Sequence, residues 1–231
     1  MSKTIVIMGN GPSMKEVDWE QLRSVSTFGM NGAYRFYYRT GWWPTYFCCF
    51  DFKVTKCHQP QWNKMIEVDK APIERYFFWD RCVVAKDPKV THFPYRCRKS
   101  FTNKFHEFGD IGNTGSNACQ VALCLGFTKL ILIGIECNYV EKVNGSVSGG
   151  GDTLVIKETP TQNPNYFFDD YQQSGDVYNK PRPGKFHLPA WKALRNYAKD
   201  HNIDVVNCSP VSQLDFFRRS TMEQELGEKS V

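Results

Sequence analysis

The sequence predicts an α/β fold: a three-layer αβα Rossmann-like sandwich on a mostly parallel sheet, with a lid insertion at about residues 140–183. Three observations predict it. The chain starts with an apolar run, Ile5-Val6-Ile7-Met8, that stops at Gly9-Asn10-Gly11-Pro12-Ser13, as a buried parallel strand does when it feeds a loop. A second unit, "NTGSNACQVALCLGFTKLILIGIECNY" from 113 to 139, gives a capped helix, Gly126 as its stop, and a strand from Leu130 to Ile135. A helix from about Pro189 to His201 then precedes the strand "DVVNCS", so helices and strands alternate as in a layered α/β domain.

In chain order, Met14 to Leu22 reads as a helix, with Met14, Val17 and Leu22 apolar among charges. "STFGMN" (26–31) and "WWPTYFCCFD" (42–51) read as two further strands, the second ending at Asp51. Between 53 and 108, "APIERYFFWD" reads as a strand and "KDPKVTHFPYRCRKS" as an irregular stretch, with no order assigned to the region. From Val140 to Pro183 the composition turns to Gly, Ser, Asn, Pro, Asp and Tyr, the mark of a long functional or mobile insertion, read here as a lid. The last dozen residues read as a frayed polar tail. The whole of 1–231 is expected to form a single domain.

Composition narrows the function. A chain of 231 residues with 41% hydrophobic and 23% charged residues is that of a globular protein, and 15% aromatic residues suit a cleft walled by rings. A net charge of +5 favours an anionic small molecule or an acidic membrane face, and lacks the clustered basic stripes of a nucleic-acid binder. Nine cysteines without a CxxC pair read as free thiols and not as a zinc site. The apolar run before Gly9 is too short for a signal peptide, and no later stretch approaches about 18 apolar residues. The expected location is the cytoplasm, with peripheral contact to the inner face of the membrane and self-association both compatible with this surface.

Ligands of open parallel sheets bind beyond the carboxyl ends of the strands, where Gly9 to Ser13, Asn31, Asp51 and the loop after Ile135 converge. Gly9 and Gly11 would let the backbone approach a ligand, and a helix after Pro12 would turn its free amides to a phosphate; a tight turn explains the same residues. Asn113, Thr114 and Gly115 open a second helix, either as a cap or as groups for ribose and phosphate. His187, after the insertion, can take a proton from an attacking hydroxyl, or serve as a capping or packed histidine. In "NPNYFFDDYQQSGDVYN", Tyr166, Tyr171 and Tyr178 could donate to a departing phosphate while Asp169, Asp170 and Asp176 grip sugar hydroxyls; the bland reading is a solvated acidic loop over packed rings. The spacing is DD, not DxD, so no metal and no cofactor are inferred.

Together these motifs resemble the bacterial sialyltransferases of glycosyltransferase family 42. "GNGPSMKEVDW" is similar to that family's nucleotide-binding opening, which implies that Asn10 and Ser13 contact the cytidine monophosphate (CMP) part of a donor. Asn31 in "GMNGAY" is similarly placed to a donor-binding asparagine. The segment 113–139 puts Thr114 and Gly115 beside the donor and Tyr139 near its phosphate, and "YFFD" supplies a second phosphate-facing tyrosine, Tyr166. His187 falls where the family has its catalytic base. The match covers the first 50 residues and most of 110–215. Asp51 stands where an asparagine is expected, the segment from Tyr139 to Tyr166 is longer, and a basic C-terminal membrane-associating region is missing.

The resemblance implies an inverting, metal-independent glycosyltransferase that moves a sialic acid or related nonulosonic acid from a CMP-activated donor to a glycan or glycolipid hydroxyl, as in lipooligosaccharide biosynthesis. Two alternatives share the "GNGPS" opening or its loops: a pterin-type diphosphokinase using ATP and Mg²⁺, and a non-catalytic nucleotide-binding protein.

Overall fold

The computed structural model describes residues 3–82, 84–98, 100–140 and 143–227. Strands β1 (Thr4–Met8), β2 (Ser26–Met30), β3 (Tyr46–Cys49), β4 (Arg75–Trp79), β5 (Val90–Phe93) and β6 (Lys129–Ile133) are followed by β7 (Ser146–Ser148), β8 (Thr153–Ile156) and β9 (Val177–Asn179). Then come β10 (Asp204–Asn207) and β11 (Arg218–Arg219). Eight of them form one sheet in the order β11-β10-β6-β1-β2-β3-β4-β5, with every neighbouring pair parallel.

The sequence dictates this sheet through continuous apolar runs. Ile5, Val6, Ile7, Phe47, Cys48, Cys49, Phe77, Phe78, Leu130, Ile131 and Leu132 are all fully buried, as expected of parallel strands covered on both faces. The covering helices are α1 (Tyr34–Thr40), α2 (Phe52–Asn63), α3 (Thr114–Cys124) and α4 (Leu188–His201), with a short α5 (Met222–Leu226) near the end. Helix α3 packs on β1, β2 and β3, and α4 packs on β10 and α3. Gly126 at φ +83° stops α3 where a side chain would be strained. Strand order reverses at β1, which has β2 on one side and β6 on the other, so a switch point opens between the loops after β1 and β6.

The structure corrects the sequence reading in four places. Residues 14–22 are not one helix but two short 3₁₀ turns, Pro12–Glu16 and Gln21–Ser24. Val17 is extended, and the Asp18 carboxylate accepts from the amides of Glu20 and Gln21, restarting the chain in a new direction. Strand β3 ends at Cys49, and Asp51 instead caps α2, accepting from the amides of Lys53 and Val54. In the region 53–108 the strand read in "APIERYFFWD" is β4, but the stretch read as irregular contains β5, and with α2 they make a whole wing of the molecule. The tail is not frayed over residues 221–226: Thr221 and Gln224 form a capping box for α5, and Glu225 pairs with Lys129 at 2.8 Å and Arg218 at 2.6 Å. Residues 228–231 of that expectation lie outside the described residues.

The insertion carries its own antiparallel sheet, β7-β8-β9. It is tied to the body by a buried polar network. Arg35 on α1 makes a fork of 2.7 and 3.1 Å to Asp176, and the Tyr178 hydroxyl donates to the same carboxylate at 3.1 Å. His58 on α2 lies between the hydroxyls of Tyr34 (3.0 Å) and Tyr178 (3.2 Å).

Candidate functional site

A cleft of about 510 Å³ opens at the carboxyl ends of β1, β2, β3 and β6, the switch point of the sheet. Of the residues singled out in the sequence, Gly9, Asn10, Gly11, Asn31, Asp51, Asn113, Thr114, Gly115, Tyr139, Tyr166 and His187 all line it. Ser13 does not.

Ser13 is the clearest correction. Its amide donates to Glu136 Oε1 at 3.0 Å, and its hydroxyl bonds the same oxygen. The anion position at the start of the Pro12 turn is therefore filled by a carboxylate of the protein itself, and burial raises the pKa of that carboxylate while the Ser13 bonds oppose the rise. Gly9 and Gly11 are also spoken for. Their amides donate to Ile133 O at 2.8 Å and Gly134 O at 2.9 Å, and a Cβ at either would collide with Gly134 or Glu136. These glycines let the loops after β1 and β6 pack against each other, so their backbone approaches protein instead of a phosphate.

What the loops offer the cleft is side-chain amides. Asn10, Asn31 and Asn113 line the cleft, and Asn10 Oδ1, Asn31 Oδ1 and Asn113 Nδ2 are buried with no partner among the described residues. Each is held from elsewhere. Asn10 Nδ2 donates to Tyr171 Oη at 3.0 Å and Met30 O at 3.3 Å, Asn31 sits at φ +57°, and Asn113 Oδ1 caps α3 by accepting from the Ser116 amide at 2.9 Å. A left-handed non-glycine residue carries strain that the surroundings must hold. Orphaned buried polar atoms cost about 1–3 kcal/mol each when nothing pairs with them, so three at one cleft mark a polar ligand's place. Capping and ligand contact, alternatives for Asn113 in the sequence, coexist: one end of its amide does each job.

Thr114 Oγ1 accepts from the Phe50 amide at 3.2 Å, fixing the loop after β3 against α3. Gly115 makes room for Trp191, whose ring would lie 3.0 Å from an added Cβ. Asp51, besides capping α2, accepts from Asn179 Nδ2 at 2.8 Å, joining the insertion to the cleft wall.

The same cleft carries the groups able to do chemistry. His187 ends the single wide turn Pro183–His187 that leads into α4. It makes no side-chain cap bond, so the capping alternative is gone, and it stands edge-on to Tyr139 with ring centroids 5.4 Å apart. Burial pushes its imidazole below the ordinary value, while the Asp51 carboxylate works the other way. Tyr139 and Tyr166 are both raised by burial, so both phenols keep their protons at neutral pH. Tyr166 stacks on Tyr171 at 3.8 Å and 9°.

The three acidic residues of the insertion do not serve the cleft. Asp176 is bound to Arg35, Asp170 pairs with Arg39 at 2.8 Å, and Asp169 accepts from the Asn163 amide at 3.1 Å. Burial, the largest single influence, raises the Asp176 pKa, but the Arg35 fork, His58 and the Gln173 amide together outweigh it and hold the group below the usual carboxylate value. Sequence reasoning did not single out Cys137, Asn165, Trp191 or Arg182 as cleft residues; nothing in their local pattern signals it, because each reaches the cleft by tertiary packing. All nine cysteines are free, as the sequence suggested. Among the described residues no group of three His, Cys, Asp or Glu is arranged to hold a metal ion, and no helix is long and apolar enough to cross a membrane.

Fold and cleft define a doubly wound α/β protein with a polar ligand site at its switch point. No family model and no curated protein sequence matches the chain. Solved structures do. The sialyltransferase CstII from Campylobacter jejuni, in complex with the substrate analogue CMP-3FNeuAc, matches with 17% identity and a TM-score of 0.53 over 100% of this chain and 90% of that one. The monofunctional α-2,3-sialyltransferase Cst-I of the same organism matches with 15% identity and a TM-score of 0.58, over 100% and 83% of the two chains. The MAf glycosyltransferase from Magnetospirillum magneticum AMB-1 matches with 17% identity and a TM-score of 0.52, over 100% of this chain and 35% of that one. The chain has the fold of these glycosyltransferases.

Proposed function

We propose that the protein is a glycosyltransferase that moves a sialic acid or related nonulosonic acid from a CMP-activated donor to a glycan hydroxyl, with inversion and without a metal ion. The observation that carries this is that one cleft is lined by Asn10, Asn31 and Asn113, each with a buried amide atom that has no partner among the described residues, together with His187, Tyr139 and Tyr166. The solved CstII complexes with CMP and with CMP-3FNeuAc support the choice of donor, and the complex of that protein with a trisaccharide acceptor and CMP supports a glycan acceptor.

In this reading, neutral His187 takes the proton from the acceptor hydroxyl as its oxygen bonds to the anomeric carbon of the donor. The bond from that carbon to the phosphate oxygen breaks, and CMP leaves with the electron pair. Tyr139 and Tyr166 donate to the phosphate, where negative charge grows as the bond breaks, so their bonds strengthen towards the transition state. A neutral acceptor for the proton is available because burial disfavours the imidazolium. The insertion, tied down through Asp176 and Asn179, acts as the lid that keeps water from the donor.

Diphosphate transfer from ATP fits less well. The Ser13 amide is bound to Glu136 and the carboxylates of the insertion are bound to arginines or backbone, so the groups that would hold a triphosphate and its cation are engaged elsewhere. The test is thermal denaturation of the purified protein with CMP, CMP-sialic acid, UDP-sugars, GDP-sugars and ATP, each with and without Mg²⁺. A ligand at about 100 times its Kd adds about 2.7 kcal/mol to stability. Stabilisation by the cytidine compounds alone, unaltered by EDTA, is expected; stabilisation only by ATP with Mg²⁺ would replace this reading with diphosphate transfer.

A further inference from the structure

Large apolar side chains exposed singly on a surface need no explanation; exposed together at a polar cleft, they do. Among the described residues, Phe52 is 38% and Phe186 43% exposed, and both line the cleft. Neither lies loose. Phe52 opens α2, whose first turn is fixed by the Asp51 cap, and its ring meets Tyr95 edge-on at 5.0 Å; Tyr95 in turn meets the buried Trp79 edge-on at 5.3 Å. The Phe186 amide donates to Arg182 O at 3.1 Å, and its carbonyl rests against Gly112, where an added Cβ would come within 3.3 Å of it.

Both rings belong to segments that meet at His187. Phe186 immediately precedes it, and Phe52 immediately follows Asp51, whose carboxylate acts on the His187 imidazole. A hydroxyl placed to give its proton to that imidazole therefore brings the sugar that carries it up to the two phenylalanines. A pyranose has a face made of C–H groups, and such a face gains dispersion contacts on an aromatic ring that a polar wall does not offer. The rings are held from behind by Tyr95, Trp79 and the Gly112 loop, so a sugar meets a platform already in place.

We propose that Phe52 and Phe186 form the acceptor subsite, on which the sugar that presents its hydroxyl to His187 lays the C–H face of its pyranose ring. The inference rests on the glycosyltransferase reading above and adds where the acceptor binds and through which contact. Both side chains are exposed, so changing them leaves the core intact. Phe52→Leu and Phe186→Leu keep an apolar group and remove the ring, while Phe186→Tyr keeps the ring.

The experiment is saturation-transfer NMR of lactose and of 3′-sialyllactose, a neutral and an acidic terminal sugar, with the wild type, Phe52→Leu, Phe186→Leu, the double Leu variant and Phe186→Tyr. CMP is present throughout, and circular dichroism confirms folding. In the wild type, saturation should reach the C–H protons on one face of one sugar ring most strongly. Each Leu variant should bind that glycan about threefold to tenfold more weakly, the scale of one lost ring contact, and the double variant more weakly still. Phe186→Tyr should keep the wild-type affinity. Glycan binding unchanged in the double Leu variant overturns the proposal, as does a wild type that gives no signal with either glycan.

Calorimetric titration of CMP into the same proteins separates this proposal from the functional reading. CMP affinity should stay within about twofold of the wild type in every variant, because the rings contact the acceptor and not the nucleotide. If CMP affinity falls about tenfold in the Leu variants while glycan binding is unchanged, the rings carry the nucleobase: the acceptor assignment fails and the donor reading stands. If the wild type binds no CMP and its glycan signal still depends on the two rings, the donor reading falls and the subsite stands.

Discussion

His187 meets Tyr139 edge to face, with ring centroids 5.4 Å apart and planes at 83°. One ring comes from the turn before α4 and the other from the loop after β6, so the wall of the cleft that does chemistry is built by two segments about fifty residues apart in sequence. Its pairing gives the imidazole a fixed orientation without spending a hydrogen bond on it, leaving both ring nitrogens free of described protein partners.

The two phenols should be separable from binding. Tyr139→Phe and Tyr166→Phe each keep the ring and remove a donor to the leaving phosphate, and loss of one such donor typically costs about 10²–10³ in kcat. Steady-state kinetics should show that fall in kcat with donor KM changed only a few-fold. A rise in KM alone, with kcat unchanged, would move these residues out of the transition state.

The pH profile has a defined sign. His187 must be neutral to accept a proton, and burial puts its pKa below the ordinary 6.5, so the acid limb of kcat/KM should lie below pH 6.5. The Asp51 carboxylate favours the imidazolium and opposes that shift. Asp51→Asn should therefore move the limb further to the acid side, measured as kcat/KM from pH 4 to 8; a limb that moves to higher pH contradicts the assignment.

His58 makes stability fall on the acid side for a different reason. Its folded pKa is depressed to about 4 by burial, against 6.5 when unfolded, so the unfolded chain binds the proton first. Stability is at its full value above pH 6.5 and is lost as pH falls through to about 4, by roughly 3 kcal/mol for this group at 1.36 kcal/mol per unit. Urea unfolding across that window should show the slope, and His58→Gln should flatten it.

Arg35 and Asp176 form a pair with 14% and 9% of their side chains exposed. Removing one partner from such a pair strands a buried charge and costs about 3–5 kcal/mol, whereas replacing both is often far milder. Arg35→Met should destabilise strongly, and Arg35→Met with Asp176→Leu should recover part of the loss in chemical denaturation. Because the pair ties the insertion to α1, limited proteolysis of the single variant should cut within 143–179.

Much of this was legible in the chain. Ile5 to Met8 and Leu130 to Ile133 announce strands because parallel strands bury both faces, and Asn113 with Gly126 bracket α3 through caps that need only local residues. Gly9, Asn10, Gly11, Asn31 and Asp51 were findable because they follow strand ends. What escaped was set at a distance. Residues 14–22 have a helical spacing, yet Asp18 caps the next turn and Ser13 is bound by Glu136, more than a hundred residues away. The acidic cluster at 169, 170 and 176 looked like a sugar grip until Arg35 and Arg39, on a helix of unremarked sequence, proved to hold two of its members. Tyr171 could be named as a phenol near the site, but which of its neighbours it holds depends on how the insertion docks.

The most direct test is a transfer assay with radiolabelled CMP-sialic acid and a panel of lactose-, galactose- and sialyl-terminated glycans in the presence of EDTA, comparing the wild type with His187→Ala. Labelled glycan from the wild type and a loss of about 10²–10⁴-fold in His187→Ala is the predicted result. Equal transfer by His187→Ala, or CMP-sialic acid that is bound and never turned over with any acceptor, would contradict the account.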